Sequence, residues 1–320
     1  MDEFELINRY FRPEEPGGHI TVGIGDDGAV IRARVDHEQV VVTDSLVAGV
    51  HFSNGVMGRD LGHKAMAVNL SDLAAMGAEP DWGTLNLILP IAEPEWLEGF
   101  AEGFFELANR YGVTLIGGDT SRGPLAVTVT AGGWVPTGQA LCRAGARNGH
   151  LVYVSGTLGD AALALELYNE LGFPSGLDQE RLAGELHRPE PRIPLGLALR
   201  AIASAAIDLS DGLASGLHQM VSASGHLGAV IEIERLPLSR EALGFRTRQQ
   251  VAELALVGGD DYELCFSVLP KYSEEIAIIA KRLGLPLTMI GWVDNTPGVR
   301  VVSQTGDWEE YSGKGHRHVW

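Results

Sequence analysis

The apolar positions in the first half of the chain follow two different periods. Short runs rich in valine, leucine and isoleucine are bounded by polar or glycine residues, which predicts strands. Two longer stretches, residues 60–76 and 95–110, repeat their apolar positions at helical spacing. The predicted strands are residues 39–43, 85–89, 113–117 and 125–135. This mixture of strands and helices predicts a mixed α/β unit.

A segment rich in glycine and turn residues interrupts this pattern at residues 135–150. We therefore predict two domains, 1–137 and 148–320, and a two-domain α/β fold class. After a polar, proline-containing stretch at 173–194, a helix is predicted near 195–204. The other elements predicted in the second half are strands at 151–155, 230–234, 262–268 and 287–293, and a helix at 160–171.

The composition narrows the class of protein. A chain of 320 residues is long enough for two domains with their own cores, and 45% hydrophobic residues is a globular composition. The net charge of −18 argues against nucleic acid or a membrane surface as the main partner. The acidic start MDEFELINRYF does not resemble a signal peptide, and Cys142 and Cys265 form no disulfide framework. We therefore expect a cytoplasmic protein.

Aspartates recur at positions where α/β proteins often bind ligands. Asp26 and Asp27 lie in the glycine turn GIGDDGAV, Asp44 and Asp119 come at the predicted ends of strands, and Asp72 interrupts an apolar helix. Asp208 and Asp211 bracket IDLSDG, which is predicted to be a strand end that runs into a helix. Six residues share such placements: Asp27, Asp44, Asp72, Asp119, Asp208 and Asp211. An alternative interpretation of several of these, taken singly, is a turn former or a helix N-cap.

Several carboxylates that meet in one cleft repel one another unless cations lie between them. Mg²⁺ fits this requirement because a few carboxylates and substrate phosphates usually hold it together. Glycine turns that carry acids but no lysine then fit a polyphosphate neutralised by metal ions. The chain contains neither GxxxxGK[ST] nor the protein-kinase motif set, so we expect a different kind of ATP site.

Seven motifs follow one another along essentially the whole chain. They are GIGDD (23–27), TDSLVAGVHF (43–52), KAMAVNLSDLAAMGA (64–78), LIGGDTSRGP (115–124), SGTLGDAA (155–162), IDLSDGL (207–213) and GGDDYEL (258–264). Together and in this order they resemble the thiamine-monophosphate kinase family. That family belongs to a superfamily that also contains aminoimidazole ribonucleotide synthetase and selenophosphate synthetase.

The resemblance implies ATP-dependent phosphorylation of thiamine monophosphate to thiamine diphosphate, assisted by several Mg²⁺ ions. It also implies a homodimer in which the N-terminal domains join their sheets into a barrel. The implied Mg²⁺ ligands are Asp27, Thr43, Asp44, Asp72, Asp119, Asp208 and Asp211. The implied ATP contacts are Gly118, Asp119, Arg143 and Ser210. His51 would contact the thiamine substrate, and Asp72 and Asp119 would be the catalytic residues.

Two positions depart from the family pattern. The usual GGEDYEL reads GGDDYEL, so Asp260 stands where a substrate-contacting glutamate is expected and is one methylene shorter. The usual aromatic-x-His-Phe ending reads GHRHVW, which places His316 at the aromatic position and leaves Trp320 as another source of a ring. We expect Asp260 and His316 to contact the substrate.

The acceptor implied by the resemblance is itself a phosphate monoester, which is largely ionised near neutral pH because its second pKa is about 6. We therefore expect direct in-line transfer without a phosphoenzyme, with Asp72 bridging metal ions. Three alternatives stay open: a sister enzyme of the superfamily, a metal-dependent phosphatase, and a non-catalytic Ca²⁺-binding protein. Against a phosphatase, the segment IDLSD lacks the D-x-D motif that common aspartyl-phosphate hydrolases need. Against a Ca²⁺-binding protein, the aspartates are spread too widely along the chain to form an EF-hand loop.

Overall fold

The computed structural model describes residues 3–12, 19–172, 175–303 and 305–311. The chain forms two compact units. The first consists of Met1–Leu73 and Ala78–Gln139, and the second of Ala74–Gly77 and Ala140–Trp320. Across the described ranges, no helix combines the length and the apolar character needed to span a membrane.

The first unit has a four-stranded sheet as its main element. Its helices are α1 (Glu3–Tyr10), α2 (Gly58–Ala75) and α3 (Pro94–Arg110). Its strands are β1 (Ile20–Val22), β2 (Val30–Ile31), β3 (His37–Val47), β4 (Glu79–Leu89), β5 (Thr114–Arg122) and β6 (Ala126–Pro136). The sheet order is β3-β6-β4-β5, in which only the β4–β5 pair is parallel.

Strand β3 of the four-stranded sheet has one buried face and one exposed face. On β3, Val40 and Leu46 are 8% and 5% exposed, whereas Val41 and Val47 are 56% and 37% exposed. Because side chains alternate along a strand, β3 presents an apolar row to the core and a second row outward. This outward side, which carries Val41, Thr43, Ser45 and Val47 on β3, is named here the open sheet face.

The second unit contains a seven-stranded sheet. Its helices are α4 (Asp160–Leu171), α5 (Leu177–His187), α6 (Ile193–Leu199), α7 (Leu213–Ala223), α8 (Arg240–Phe245), α9 (Arg248–Val257) and α10 (Ser273–Leu283). Its strands are β7 (Leu151–Ser155), β8 (Ala203–Asp208), β9 (Gly228–Glu232), β10 (Leu264–Val268), β11 (Leu287–Asp294), β12 (Gly298–Val302) and β13 (Trp308–Tyr311). The order is β13-β12-β9-β11-β7-β10-β8.

The largest core of the second unit lies between this sheet and the helices beside it. Leu217 and Met220 of α7 and Ala255 of α9 are fully buried there with Val154 and Cys265 of the central strands. β10 runs antiparallel to both β7 and β8, so the ends of β7 and β8 lie on either side of the start of β10.

Two local predictions were wrong, and one helix was not predicted. Asp44 and Asp119 lie inside β3 and β5 rather than at strand ends, because both strands continue through polar residues that pair with their neighbours. The helix predicted near 195–204 ends at Leu199, and the alanine-rich run that follows pairs with β10 as a strand. The polar stretch at 173–194 contains α5, which packs against α4 through Leu182 and Leu186.

Candidate active site

The GIGDDGAV segment forms an exposed turn in the first unit. The backbone N–H of Asp27 donates to the Asp26 carboxylate at 2.8 Å. Gly25 has φ of 118°, a left-handed conformation that favours glycine. Asp26 therefore stabilises the turn, and Asp27 is the exposed carboxylate that the resemblance assigns to metal binding.

Thr43 and Asp44 occupy opposite faces of β3. Thr43 lies opposite Thr130 of β6, with its hydroxyl donating to the Val129 carbonyl at 3.1 Å and lying 3.0 Å from the Thr130 hydroxyl. Asp44 is half-buried and shares the opposite face with the buried Leu46. The two adjacent candidates thus offer a hydroxyl and a carboxylate on different sides of the sheet.

Asp119 lies on the edge strand β5, directly after a glycine that the packing requires. Gly118 has φ of 149°, and a Cβ there would lie 1.8 Å from the carbonyl oxygen of Leu85 on β4. The Asp119 carboxylate accepts a hydrogen bond from the Ser121 hydroxyl at 2.8 Å. Any larger residue at position 118 would push β5 away from β4 and displace Asp119.

A polar row crosses all four strands at the level of Asp119. Ser45, Thr128, Asn86 and Asp119 lie opposite one another on β3, β6, β4 and β5, so their side chains share the open sheet face. The Ser45 and Thr128 hydroxyls are 2.7 Å apart. Asn86 was missed in the sequence, although a polar residue inside the apolar run LNLIL was a visible signal.

Asp72 is half-buried on α2, between the fully buried Ser71 and Leu73. It lies in the last turn of the helix, which ends at Ala75, where the negative end of the helix dipole disfavours a carboxylate. Asn69, one turn earlier, is fully buried; its amide donates to the Ala65 carbonyl, and its Oδ1 has no hydrogen-bond partner among the described residues. The helix dipole therefore disfavours a charged carboxyl at position 72.

His51 closes the loop that follows β3. Its ring Nδ1 accepts a hydrogen bond from the Val47 N–H at 3.0 Å, and its own backbone N–H donates to the Val47 carbonyl at 3.0 Å. Because Nδ1 acts as the acceptor, the neutral ring carries its hydrogen on Nε2. The loop thus fixes both the position and the tautomer of this candidate substrate residue.

In the second unit, the IDLSDGL motif joins the end of β8 to the start of α7. Asp208 is the last residue of β8 and is buried, and Asp211 lies in the loop that leads into α7 at Leu213. The prediction that Asp208 and Asp211 bracket a strand end running into a helix is confirmed. We name residues 208–211 the DLSD loop.

The DLSD loop is joined to the GGDDYEL segment by main-chain hydrogen bonds. The N–H of Asp260 donates to the Ser210 carbonyl at 2.9 Å, and the N–H of Tyr262 donates to the Leu209 carbonyl at 2.9 Å. In the other direction, the N–H of Leu209 donates to the Glu263 carbonyl at 2.8 Å. The candidate nucleotide residue Ser210 and the candidate substrate residue Asp260 therefore belong to one small framework.

Two non-glycine residues in this segment have left-handed backbones. Asp260 has φ of 70° and Tyr262 has φ of 49°. Such conformations cost roughly 1–3 kcal/mol each and persist only where the surroundings hold them. Residues 260–262 are named here the strained turn.

Two carboxylates with little access to solvent are Asp261, half-buried within the strained turn, and Asp160, buried at the start of α4. Asp261 accepts the N–H of Gly159 at 3.0 Å on both oxygens. Burial raises the pKa of the Asp261 carboxyl well above its ordinary value, the Gly159 hydrogen bond opposes this, and the charge of Asp160 adds to it. Burial also raises the pKa of Asp160, although hydrogen bonds from Ser239 and Thr157 oppose the shift. Asp160 thereby joins the start of α4 to the N-cap of α8.

Arg143, the remaining nucleotide candidate, is exposed and belongs to the second unit. Its guanidinium donates to the Gln219 side chain of α7 at 2.7 Å. His316, which the resemblance places at the substrate, lies outside the described residues.

The predicted metal ligands come from both units. Asp27, Thr43, Asp44, Asp72 and Asp119 belong to the first, and Asp208 and Asp211 to the second. Within the described residues, no three His, Cys, Asp or Glu side chains are grouped closely enough to hold a metal ion. The donor set consists only of carboxylate and hydroxyl oxygens, which is the chemistry that Mg²⁺ prefers. The gathering of these ligands around metal ions stays a prediction.

The fold and motifs define the class of this protein. Residues 25–135 match the family described as AIR synthase related protein, N-terminal domain, and residues 147–304 match its C-terminal domain. The chain is 45% identical over 316 residues to a thiamine-monophosphate kinase of Salmonella typhimurium, covering 97% of each chain. It therefore belongs to the thiamine-monophosphate kinase family, a family of enzymes.

Solved structures agree with this assignment. A thiamine-monophosphate kinase from Stenotrophomonas maltophilia is 44% identical, with a TM-score of 0.85 over 93% of this chain and 94% of that one. The structure described as AaThiL complexed with AMPPCP and TMP is 31% identical, with a TM-score of 0.80 over 92% of each chain. The chain thus shares the two-domain mixed α/β fold of these proteins.

Proposed function

We propose that this protein transfers the γ-phosphoryl group of ATP to the phosphate of thiamine monophosphate, giving thiamine diphosphate and ADP. The observation that carries the proposal is the 45% identity to a thiamine-monophosphate kinase along 97% of both chains. The relative crystallised with AMPPCP and TMP supports an ATP site and a phosphate-acceptor site in this fold.

The reaction brings two anions together, so charge neutralisation is its first requirement. The oxygen donors Asp27, Thr43, Asp44, Asp72, Asp119, Asp208 and Asp211 would hold Mg²⁺. Mg²⁺ held by these residues would supply that neutralisation and would help to align the two phosphates. Because the acceptor phosphate is already largely ionised near neutral pH, the chain needs no strong general base, and we propose direct in-line transfer.

The two reactants would use different residues. Gly118, Asp119, Arg143 and Ser210 would contact ATP, and the exposed backbone at Gly118 permits a close approach. His51 would present its Nε2–H to the thiamine substrate, since Nδ1 is held by Val47. Asp260 would contact the substrate, and its left-handed backbone, which donates to Ser210 of the DLSD loop, would fix the position of its shorter side chain.

We also propose that the active form is a homodimer built on domains 1–137. The open sheet face exposes valines beside a row of hydroxyls, and β3 is an edge strand of 11 residues. A long edge strand and an uncovered apolar row favour pairing with another sheet.

The test of the catalytic proposal is an assay of the purified full chain with Mg²⁺, ATP and thiamine monophosphate. We expect thiamine diphosphate and ADP in equal amounts, measured by chromatography, and no product when EDTA replaces Mg²⁺ or unphosphorylated thiamine replaces the acceptor. Absence of thiamine diphosphate, with ATP converted to ADP only when an amide, selenide or carbamoyl acceptor is present, would contradict it in favour of a sister enzyme. Release of inorganic phosphate from thiamine monophosphate without ATP would indicate a phosphatase.

A further inference from the structure

Glu263 is a buried acid that none of the roles above uses. Its side chain belongs to a residue only 4% exposed, at the position directly before β10. Both of its carboxylate oxygens accept hydrogen bonds from the Arg192 guanidinium, one from Nε at 2.7 Å and the other from Nη2. Such a two-pronged pair fixes the orientation of both side chains.

Arg192 lies directly before α6, so the pair joins the start of this helix to the start of β10. Burial acts to lower the pKa of the Arg192 guanidinium, but the hydrogen bonds and the charge of Glu263 outweigh it, and the pKa is raised. The carboxylates around Arg192, with Glu263 foremost, therefore favour the charged form of its guanidinium.

One further group donates to the Glu263 carboxylate, and a glycine leaves room for it. The Ser155 hydroxyl at the end of β7 donates to it and accepts the backbone N–H of Leu264 at 2.9 Å. Gly156 provides the space: a Cβ there would lie 1.9 Å from a Glu263 carboxylate oxygen, and its φ is 59°. Helix α6 and strands β7 and β10 thus converge on one carboxylate.

This anchor lies immediately beside the strained turn. Tyr262, the second left-handed residue, directly precedes Glu263, whose carbonyl accepts the N–H of Leu209 in the DLSD loop. A strained backbone needs contacts to hold it. Inside the turn the Asp261 carboxylate accepts the Gly159 N–H, and directly after the turn the Glu263 side chain adds the ion pair with Arg192.

We propose that the Arg192–Glu263 pair is a positioning device for the reaction: it holds the strained turn and, through the main-chain hydrogen bonds, the DLSD loop in the geometry that binds the acceptor. This inference rests on the proposed function for its catalytic consequence. Its structural part, the hold on residues 260–262, stands on the geometry alone and is measured separately.

The structural part is tested by hydrogen exchange of the backbone amides of Asp260 and Tyr262, without ligands. In Arg192→Gln, Glu263→Gln and Gly156→Ala, we expect these amides to exchange about tenfold faster than in the wild type. Two matched controls should leave them unchanged. Arg246→Gln removes another ion pair of the second unit, with Glu170, and Gly284→Ala places alanine at φ of 63° where no atom lies within 4 Å.

The catalytic part is tested by steady-state kinetics of the same proteins. We expect KM for thiamine monophosphate to rise about tenfold in the three anchor variants, with KM for ATP changed much less. Arg192→Lys keeps the charge but loses the two-pronged geometry, so it should recover part of the affinity. This variant also replaces Arg192→Gln if the latter does not fold.

Each contrary result has a distinct meaning. A higher KM without faster exchange at residues 260–262 would mean that Arg192 contacts the substrate itself, which overturns the positioning role. Faster exchange with unchanged kinetics would overturn the catalytic consequence. If the wild type forms no thiamine diphosphate, the proposed function fails, whereas the exchange data still decide whether the anchor exists.

Discussion

At the scale of one residue, Asp72 is expected to contribute to activity much more than to folding stability. Its carboxylate lies in the last turn of α2, against the helix dipole and among buried residues. Asp72→Asn keeps the shape and removes the charge, so we expect kcat to fall roughly a hundredfold or more through lost metal binding. The melting temperature should fall by less than about 3 °C, or rise.

The control for this prediction is Asp60→Asn, on the same helix. Asp60 is buried in the first turn, where the dipole favours a carboxylate. This variant should lose stability and keep its kcat, the reverse of Asp72→Asn. Calorimetry with activity assays over a range of Mg²⁺ concentrations measures both. An Asp72→Asn protein with an unchanged Mg²⁺ response would remove Asp72 from the metal site.

Single residues were predictable where a local motif carried them. Asp208 and Asp211 bracket a strand end as predicted, because IDLSDGL contains both the strand and the helix start. Arg192 and Glu263 could not be paired from sequence, since 71 positions separate them. Arg192 precedes the helix α6 and Glu263 precedes the strand β10, and a contact between elements so far apart along the chain has no local signal.

At the scale of elements, His150 connects three strands of the second unit. It directly precedes β7, and its Nδ1 lies 2.7 Å from the hydroxyl of Ser204 on β8. That hydroxyl donates to the carbonyl of Ser267 on β10 at 2.9 Å. Burial lowers the pKa of His150 below its ordinary value of 6.5, and the charge of Arg147 lowers it further. The folded protein therefore favours the neutral ring.

This pKa shift predicts a loss of stability in acid. Above pH 6.5 the imidazole is neutral in both the folded and the unfolded protein, so the full stability is present. As the pH falls from 6.5 towards the lower pKa of the folded protein, the unfolded chain binds the proton first, which favours unfolding. The unfolding free energy of the wild type should therefore fall more steeply than that of His150→Gln, by at most about 1.4 kcal/mol per pH unit.

Urea unfolding at pH 7.5, 6.5 and 5.5 measures this difference. His226→Asn, which changes an exposed histidine in a left-handed turn that asparagine tolerates, should keep the steep wild-type profile. Parallel profiles for the wild type and His150→Gln would show that His150 does not set the acid sensitivity.

Elements were predictable where the apolar period was continuous. The helix at 160–171 and the strand at 151–155 match α4 and β7, because each carries its whole pattern locally. The helix α5 was missed because prolines and charges dominate 173–194, although Leu182 and Leu186 at helical spacing were present. The lengths of β3 and β5 were underestimated because cross-strand pairing stabilises polar residues that have no strand signal of their own.

At the scale of the whole molecule, both domains match their families in chain order, as the seven motifs indicated. The net charge argued against nucleic acid or a membrane surface as the main partner, but the composition could not identify a surface for a second copy. The open sheet face could be identified only from the strand order, which makes β3 an edge strand paired with β6. In this pairing the outward valines of β3 alternate with hydroxyls that pair with hydroxyls of β6. Such a surface depends on register, which sequence alone does not specify.

The open sheet face therefore carries the last prediction. We expect the wild type to sediment at about twice its chain mass of 34.2 kDa. Val41→Glu combined with Val47→Glu places like charges in the apolar row, so the dissociation constant should rise at least about a hundredfold, and activity should fall as the chains separate. Ile278→Glu on α10, where the isoleucine is 64% exposed in the second unit, should leave the mass unchanged. A wild type that sediments as a single chain at all working concentrations would refute the dimer, and loss of mass in the Ile278→Glu control would place the interface in the second unit.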